Sequence, residues 1–179
     1  TVITLSVLAI LASLAIPLGL DPHWTTAAWA LEGAAMVWVG VRQNRPLARL
    51  LGLVLQAGAA VFFVDSLSLP PESLPFANRA FLGCGLIAGA ALFYSFWLDR
   101  NPAQTRRWEH PLPLLLLVWG LLWWYGGGYL DLDRHLQWQA LPPALLLYAC
   151  ATTAGLGWLV YRWAWQRMTV GLLLLWPIM

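Results

Sequence analysis

"HWTTAAWALEGAAMVWVGVR", residues His23 to Arg42, is an apolar run with a single carboxylate, Glu32, in its middle. As a helix it is about as long as the ~30 Å hydrocarbon core of a bilayer. The neighbours of Glu32 are Ala, Gly, Leu, Met, Val and Trp, none of which can hold a charge. A charge at the centre of a membrane helix costs ~2.5–3.5 kcal/mol on insertion scales. The stretch therefore predicts a compensated carboxylate, either protonated or hydrogen-bonded to a neighbouring helix.

The rest of the chain makes the same case for lipid as solvent. Of 179 residues 60% are hydrophobic and only 10% charged, and the mean hydropathy is +0.67. A soluble domain is about a quarter charged, and one of this size could not hide so much apolar surface. All ten basic residues are Arg. Cys84 and Cys150 both lie inside apolar runs, which excludes a disulfide framework or a Cys-x-x-Cys zinc site. No phosphate-cradling glycine loop, nucleophile elbow, haem motif or nucleic-acid module is visible, so no cofactor and no nucleic-acid partner is expected.

Six segments approach spanning length, at about Val2–Gly19, Trp24–Val41, Pro46–Val64, Arg79–Leu98, Pro113–Gly128 and Trp138–Tyr161. A seventh, Thr169–Met179, covers only half a bilayer, which with Thr1 predicts a fragment of a longer chain. Asp21-Pro22, Arg45-Pro46 and Pro70-Pro71 punctuate the segments, and Gly126-Gly127-Gly128 is expected to end the fifth. Pro142-Pro143 should kink the sixth or delay its start. The second, fourth and sixth connections hold Arg42, Arg45, Arg49, Arg100, Arg106, Arg107, Arg162 and Arg167. The opposite connections hold only Arg79 and Arg134, against Asp21, Asp65, Glu72, Asp131 and Asp133. That asymmetry predicts Arg-rich loops in the cytoplasm and acidic loops outside, in a bacterial inner membrane.

Each even-numbered segment leaves through a similar exit: "VWVGVR" (Val37–Arg42), "SFWLDR" (Ser95–Arg100) and "GWLVYR" (Gly157–Arg162). Trp38, Trp97 and Trp158 recur at spacings of 59 and 61 and read as interfacial anchors. The expected fold is all-α, a polytopic transmembrane helical bundle built from two-helix hairpins. These would span about 1–45, 46–110 and 111–167, with a fourth starting at 168.

With the hairpins in view, "LGLDPHWTTAAWALEGAAMVWVGVRQNRPLARLLGLVLQ" (Leu18–Gln56) resembles a family of large bacterial membrane proteins known as domain of unknown function 2339. The resemblance rests on a Trp-Thr-x-x-x-Trp-x-Leu-Glu-Gly signature followed by an Arg-spaced turn. The matching positions are Trp24, Thr25, Trp29, Leu31, Glu32 and Gly33, then Trp38, Gly40, Arg42, Arg49 and Gly52. The later hairpins keep the Trp–Arg exit but lack Leu-Glu-Gly; Ala91 and Thr152 stand near the Glu position. The resemblance implies a many-span inner-membrane protein of which this chain is a part. It implies no activity.

Two groups of residues are candidates for function. Gln56 lies at nearly the depth of Glu32, and a short turn joins their segments, so an interhelical hydrogen bond between them is expected. Glu32 would then be glue more than a proton- or cation-handling group, because proton and substrate pathways recruit several polar residues. On the acidic face Asp131, Asp133 and His135 alternate, and in an extended segment they would share a side with His23 in reach. Such a set could bind a divalent ion or act as general base on a lipid-linked substrate. Short outer loops fill with acids anyway under the positive-inside rule, so no metal is assigned and catalysis is disfavoured.

The remaining signals concern the bilayer itself. Arg42, Arg45, Arg49, Arg106, Arg107, Arg162 and Arg167 are placed against anionic headgroups. Tyr125, Tyr129 and Trp123-Trp124 read as an outer aromatic belt, and "GLIAG" (Gly85–Gly89) as a helix-packing motif. The preferred function is a non-catalytic membrane component, scaffold or small-solute permease, with Glu32 and Gln56 as its central polar pair. The alternatives are an outward-facing enzyme on lipid-linked glycan or acyl donors, and a structural subunit of a larger complex. Its partners would be the lipid bilayer and further helices, of the same longer chain or of other subunits.

Overall fold

The computed structural model describes residues 22–67 and 74–169, which belong to two compact units, residues 1–69 and 70–179. The helices are α1 (Pro22–Arg42) and α2 (Pro46–Ser66) in the first unit, and α3 (Arg79–Arg100), α4 (Leu112–His135) and α5 (Leu141–Trp163) in the second. Two 3-10 turns, Pro102–Gln104 and Arg107–Glu109, join α3 to α4. No strand occurs among the described residues. The first expected segment lies outside them, as does the seventh beyond Thr169. Four described stretches are long and apolar enough to cross a membrane: Pro46–Asp65, Arg79–Arg100, Arg107–His135 and Leu141–Trp163. The α1 helix, which carries Glu32, is not among these four. Leu47, Val61, Leu122 and Leu147 stand 63–79% exposed, as side chains solvated by lipid do.

In the first unit α1 and α2 form an antiparallel pair. The α1 helix ends in a Schellman motif: Arg45 N–H donates to Gly40 O at 2.8 Å and Asn44 N–H to Val41 O at 3.1 Å. Asn44 takes the left-handed conformation this requires, at φ 50°. Pro46 then occupies the first turn of α2, where its missing N–H costs nothing. The seam is made of Ala30, Gly33, Val37 and Gly40 against Arg49, Gly52, Gln56 and Ala59, all buried. A Cβ on Gly52 would lie 2.6 Å from Gly33 O, so the two backbones touch.

In the second unit α3 and α4 pair in the same antiparallel sense. Asn78 caps α3, its side chain accepting from Phe81 N–H at 2.8 Å. The buried residues Cys84, Ile87, Ala91, Tyr94 and Leu98 repeat every three or four positions and form the seam. At its far end Ser95 Oγ donates to Pro113 O at 2.5 Å. Pro142 and Pro143 fall in the first turn of α5 and set its start, as expected. Within each unit the tight pairs among the described residues are α1–α2 and α3–α4, and α5 is buried only at Leu156.

The glycine triplet does not end its helix. The α4 helix runs through Gly126-Gly127-Gly128 to His135, because in lipid a helix that breaks loses hydrogen bonds no water replaces. The glycines make room instead. A Cβ on Gly127 would sit 2.5 Å from Cys84 Cβ, and one on Gly128 would overlap the Tyr148 ring. At Gly126 nothing lies within 4 Å. Gly127→Ala is expected to destabilise the protein by about 1–3 kcal/mol through overpacking. Gly126→Ala is expected to be neutral or to gain up to ~1 kcal/mol of helix propensity. Thermal unfolding of the two variants in detergent compares them directly.

Candidate functional site

The α1–α2 hairpin holds the first candidate residues. Gln56 is on the seam and 3% exposed. Glu32 is partly exposed, about 100° round α1 from the seam residue Gly33. A Cβ on Gly33 would lie 3.4 Å from Gln56 N, so the two polar residues stand at adjoining levels of the pair. Arg49 departs from its expected place among headgroups. It is 0% exposed, buried in the seam beside Gly40, whose missing side chain leaves room for the Arg49 stem. The hairpin register brings it inward, since Arg49 shares a face of α2 with Gly52 and Gln56.

Within the second unit, Asp131 organises the chain around it. It is 4% exposed. Its Oδ2 accepts from Phe76 N–H at 2.9 Å, and its Oδ1 from the Asn78 amide. His135 Nδ1 lies 2.8 Å from Asp131 O and 3.5 Å from Oδ1. Phe76 has a φ of 59°, a conformation that costs a bulky residue about 1–3 kcal/mol. The carboxylate holds it there. The Phe76 ring packs edge-on against Phe81 (5.0 Å) and stacks on Tyr148 (6.0 Å).

This arrangement changes the reading of the acidic triplet. Asp131, Asp133 and His135 are helical, not extended, so Asp133 projects away from the other two and is exposed. Both oxygens of Asp131 are engaged in joining the 74–78 segment to α4. His23 lies in the first turn of α1. Among the described residues no three His, Cys, Asp or Glu side chains gather as metal ligands.

Sequence reasoning missed the feature between α3, α4 and α5, an open-sided groove of about 590 Å³. Its wall includes Gly85, Gly89, Trp124, Tyr148, Thr152 and Gly155. Tyr148 OH donates to Trp124 O at 2.9 Å, and Trp124 Nε1–H to Thr152 Oγ at 3.2 Å. Gly85 and Gly89, expected to seat another helix, seat none among the described residues. Gly89 has nothing within 4 Å of its Cβ position, and Gly85 meets only the Trp124 ring at 3.8 Å. They stand one position off the buried seam and leave a hollow. Trp124, read as part of an outer aromatic belt, packs on Tyr148 of α5. The available signal was the i, i+4 pair Tyr148 and Thr152 on an otherwise apolar helix.

The arginines of the exits differ from one another. Arg42 stacks over Trp38 at 4.9 Å. Arg100 lies instead over Phe96 at 4.9 Å and donates to Trp163 O, while Trp97 stacks on Phe93. Arg167 Nε pairs with Asp99 at 2.6 Å. Arg45, Arg106, Arg107 and Arg162 are exposed, and Trp158 is 61% exposed.

Comparison with known proteins agrees with this membrane architecture. No curated protein and no solved structure matches the chain. A family model does match, over residues 2–179, and its description is a predicted membrane protein, DUF2339. A match over nearly the whole length, on a chain of long apolar helices, places this protein in that family of membrane proteins of unknown function.

Proposed function

We propose that the chain is a non-catalytic, multi-pass component of a bacterial inner membrane, a scaffold more than a small-solute permease. In this reading six segments span the bilayer, a seventh begins at the end of the chain, and the Arg-rich connections face the cytoplasm. The observation that carries it is the use of Asp131. A buried carboxylate with both oxygens accepting hydrogen bonds from its own chain is positioned to hold helices together. Glu32 and Gln56 extend the same logic to the first hairpin, where the backbone contact of Gly33 with Gly52 leaves little space for solute. Exposed apolar side chains on α2, α4 and α5 supply surface for lipid, for further helices of a longer chain or for other subunits.

Water access at Glu32 tests the reading. In the full-length protein with Cys84 and Cys150 replaced by Ser, Glu32→Cys should resist a small membrane-impermeant maleimide applied to either face. A His23→Cys control should label readily. Rapid labelling of Glu32→Cys would mean that water reaches the carboxylate beside the seam, and would favour a permease or an enzyme over the scaffold.

A further inference from the structure

The groove of the second unit goes beyond the scaffold reading and does not depend on it. We infer that it seats one acyl chain of an anionic phospholipid, with the lipid phosphate at Arg162. Its residues on α5 run from Tyr148 to Leu159, eleven steps or ~16 Å along the helix. That is about half of the ~30 Å hydrocarbon core, the length of one leaflet. The volume, about 590 Å³, falls within the roughly 300–1,000 Å³ of small-molecule sites. Gly85 and Gly89 on α3 and Gly155 on α5 present bare backbone to it, and no Cβ neighbour explains Gly89 or Gly155. At the Tyr148 end the rings of Phe76, Tyr148 and Trp124 stack and close the hollow.

The opposite end carries the charge. Arg162 continues the face of α5 that holds Thr152, Gly155 and Leu159, and it is exposed. It makes no ion pair with a described residue, whereas Arg100 and Arg167 beside it are engaged by Trp163 O and Asp99. A cation one turn below an apolar hollow matches a lipid with a negative headgroup.

The test counts lipid retained by the full-length protein in native mass spectrometry, after reconstitution in vesicles of equal phosphatidylglycerol and phosphatidylcholine. One phosphatidylglycerol per chain should be retained, preferred about fivefold over phosphatidylcholine, the increment of one Arg at a membrane surface. Arg162→Gln should abolish the preference while keeping one lipid bound. Gly89→Leu and Gly155→Leu should each lose the lipid, and Gly126→Leu, outside the groove, should keep it. Unchanged thermal unfolding of the filled variants separates loss of lipid from loss of fold. Equal retention of the two lipids by the native protein overturns the proposal, and so does retention by both filled variants. If a second copy covers the groove, filling it turns dimer into monomer with lipid unchanged. If another segment of the chain covers it, the native protein retains no lipid. Either result also overturns the proposal.

Discussion

Asp131→Asn is expected to destabilise the protein by about 2–3 kcal/mol, and Asp131→Ala by about 3–5 kcal/mol. Each hydrogen bond to a charged group is worth about 1.5–3 kcal/mol, and a buried donor left unpaired costs its desolvation besides. Asp131 accepts two such bonds, from Phe76 N–H and the Asn78 amide. Asparagine keeps one acceptor oxygen but turns an NH₂ toward one of the two donors. The loss extends beyond the bonds, because the left-handed φ of Phe76 then has nothing to hold it. Residues 74–78 should become sensitive to limited proteolysis, and thermal unfolding in detergent should drop. Asp133→Asn, on an exposed side chain, should stay within about 0.5 kcal/mol of the native protein. If both aspartates behaved alike, the structural role of Asp131 would be refuted.

The second large effect belongs to the first hairpin. Gly52→Ala is expected to cost about 1–3 kcal/mol, although alanine is the better helix former. The new Cβ would stand 2.6 Å from both Gly33 O and Val37 Cγ2, and a backbone oxygen cannot turn aside as a flexible side chain can. The helices must separate, which also loosens the burial of Gln56 and Arg49. Gly58→Ala, on the same helix with nothing within 4 Å, should be neutral or gain up to ~1 kcal/mol. Thermal unfolding of the two variants in detergent measures the difference. An equal response to both would mean that the α1–α2 contact at Gly33 and Gly52 does not hold the pair together.

The legible parts of this protein were those that depend on a residue and its immediate neighbours. Pro46 and Pro142-Pro143 mark helix starts because proline fits only where no N–H is needed. Long apolar runs mark α2 to α5, because an uncharged stretch of that length has no other stable home. The candidate site was less legible. The sequence singled out Glu32 as a carboxylate needing a partner and read Asp131 as one acid of an outer loop, whereas Asp131 is buried and has two partners. The sequence did not reveal that one of them is the backbone of a residue 55 positions away.

What the sequence determined by itself was the solvent, the all-helical fold and the family, since transfer free energy and local propensity add up along the chain. What only the tertiary structure decided was rotation, meaning which face of each helix meets which neighbour. Rotation sent Arg49 into a seam and Trp124 toward α5. It set Gly127 against Cys84 and left Gly85 and Gly89 lining a groove. In lipid every helix face is apolar, so no water-facing side exists to orient it. The fit of small residues to large ones, read across two helices at once, orients it instead.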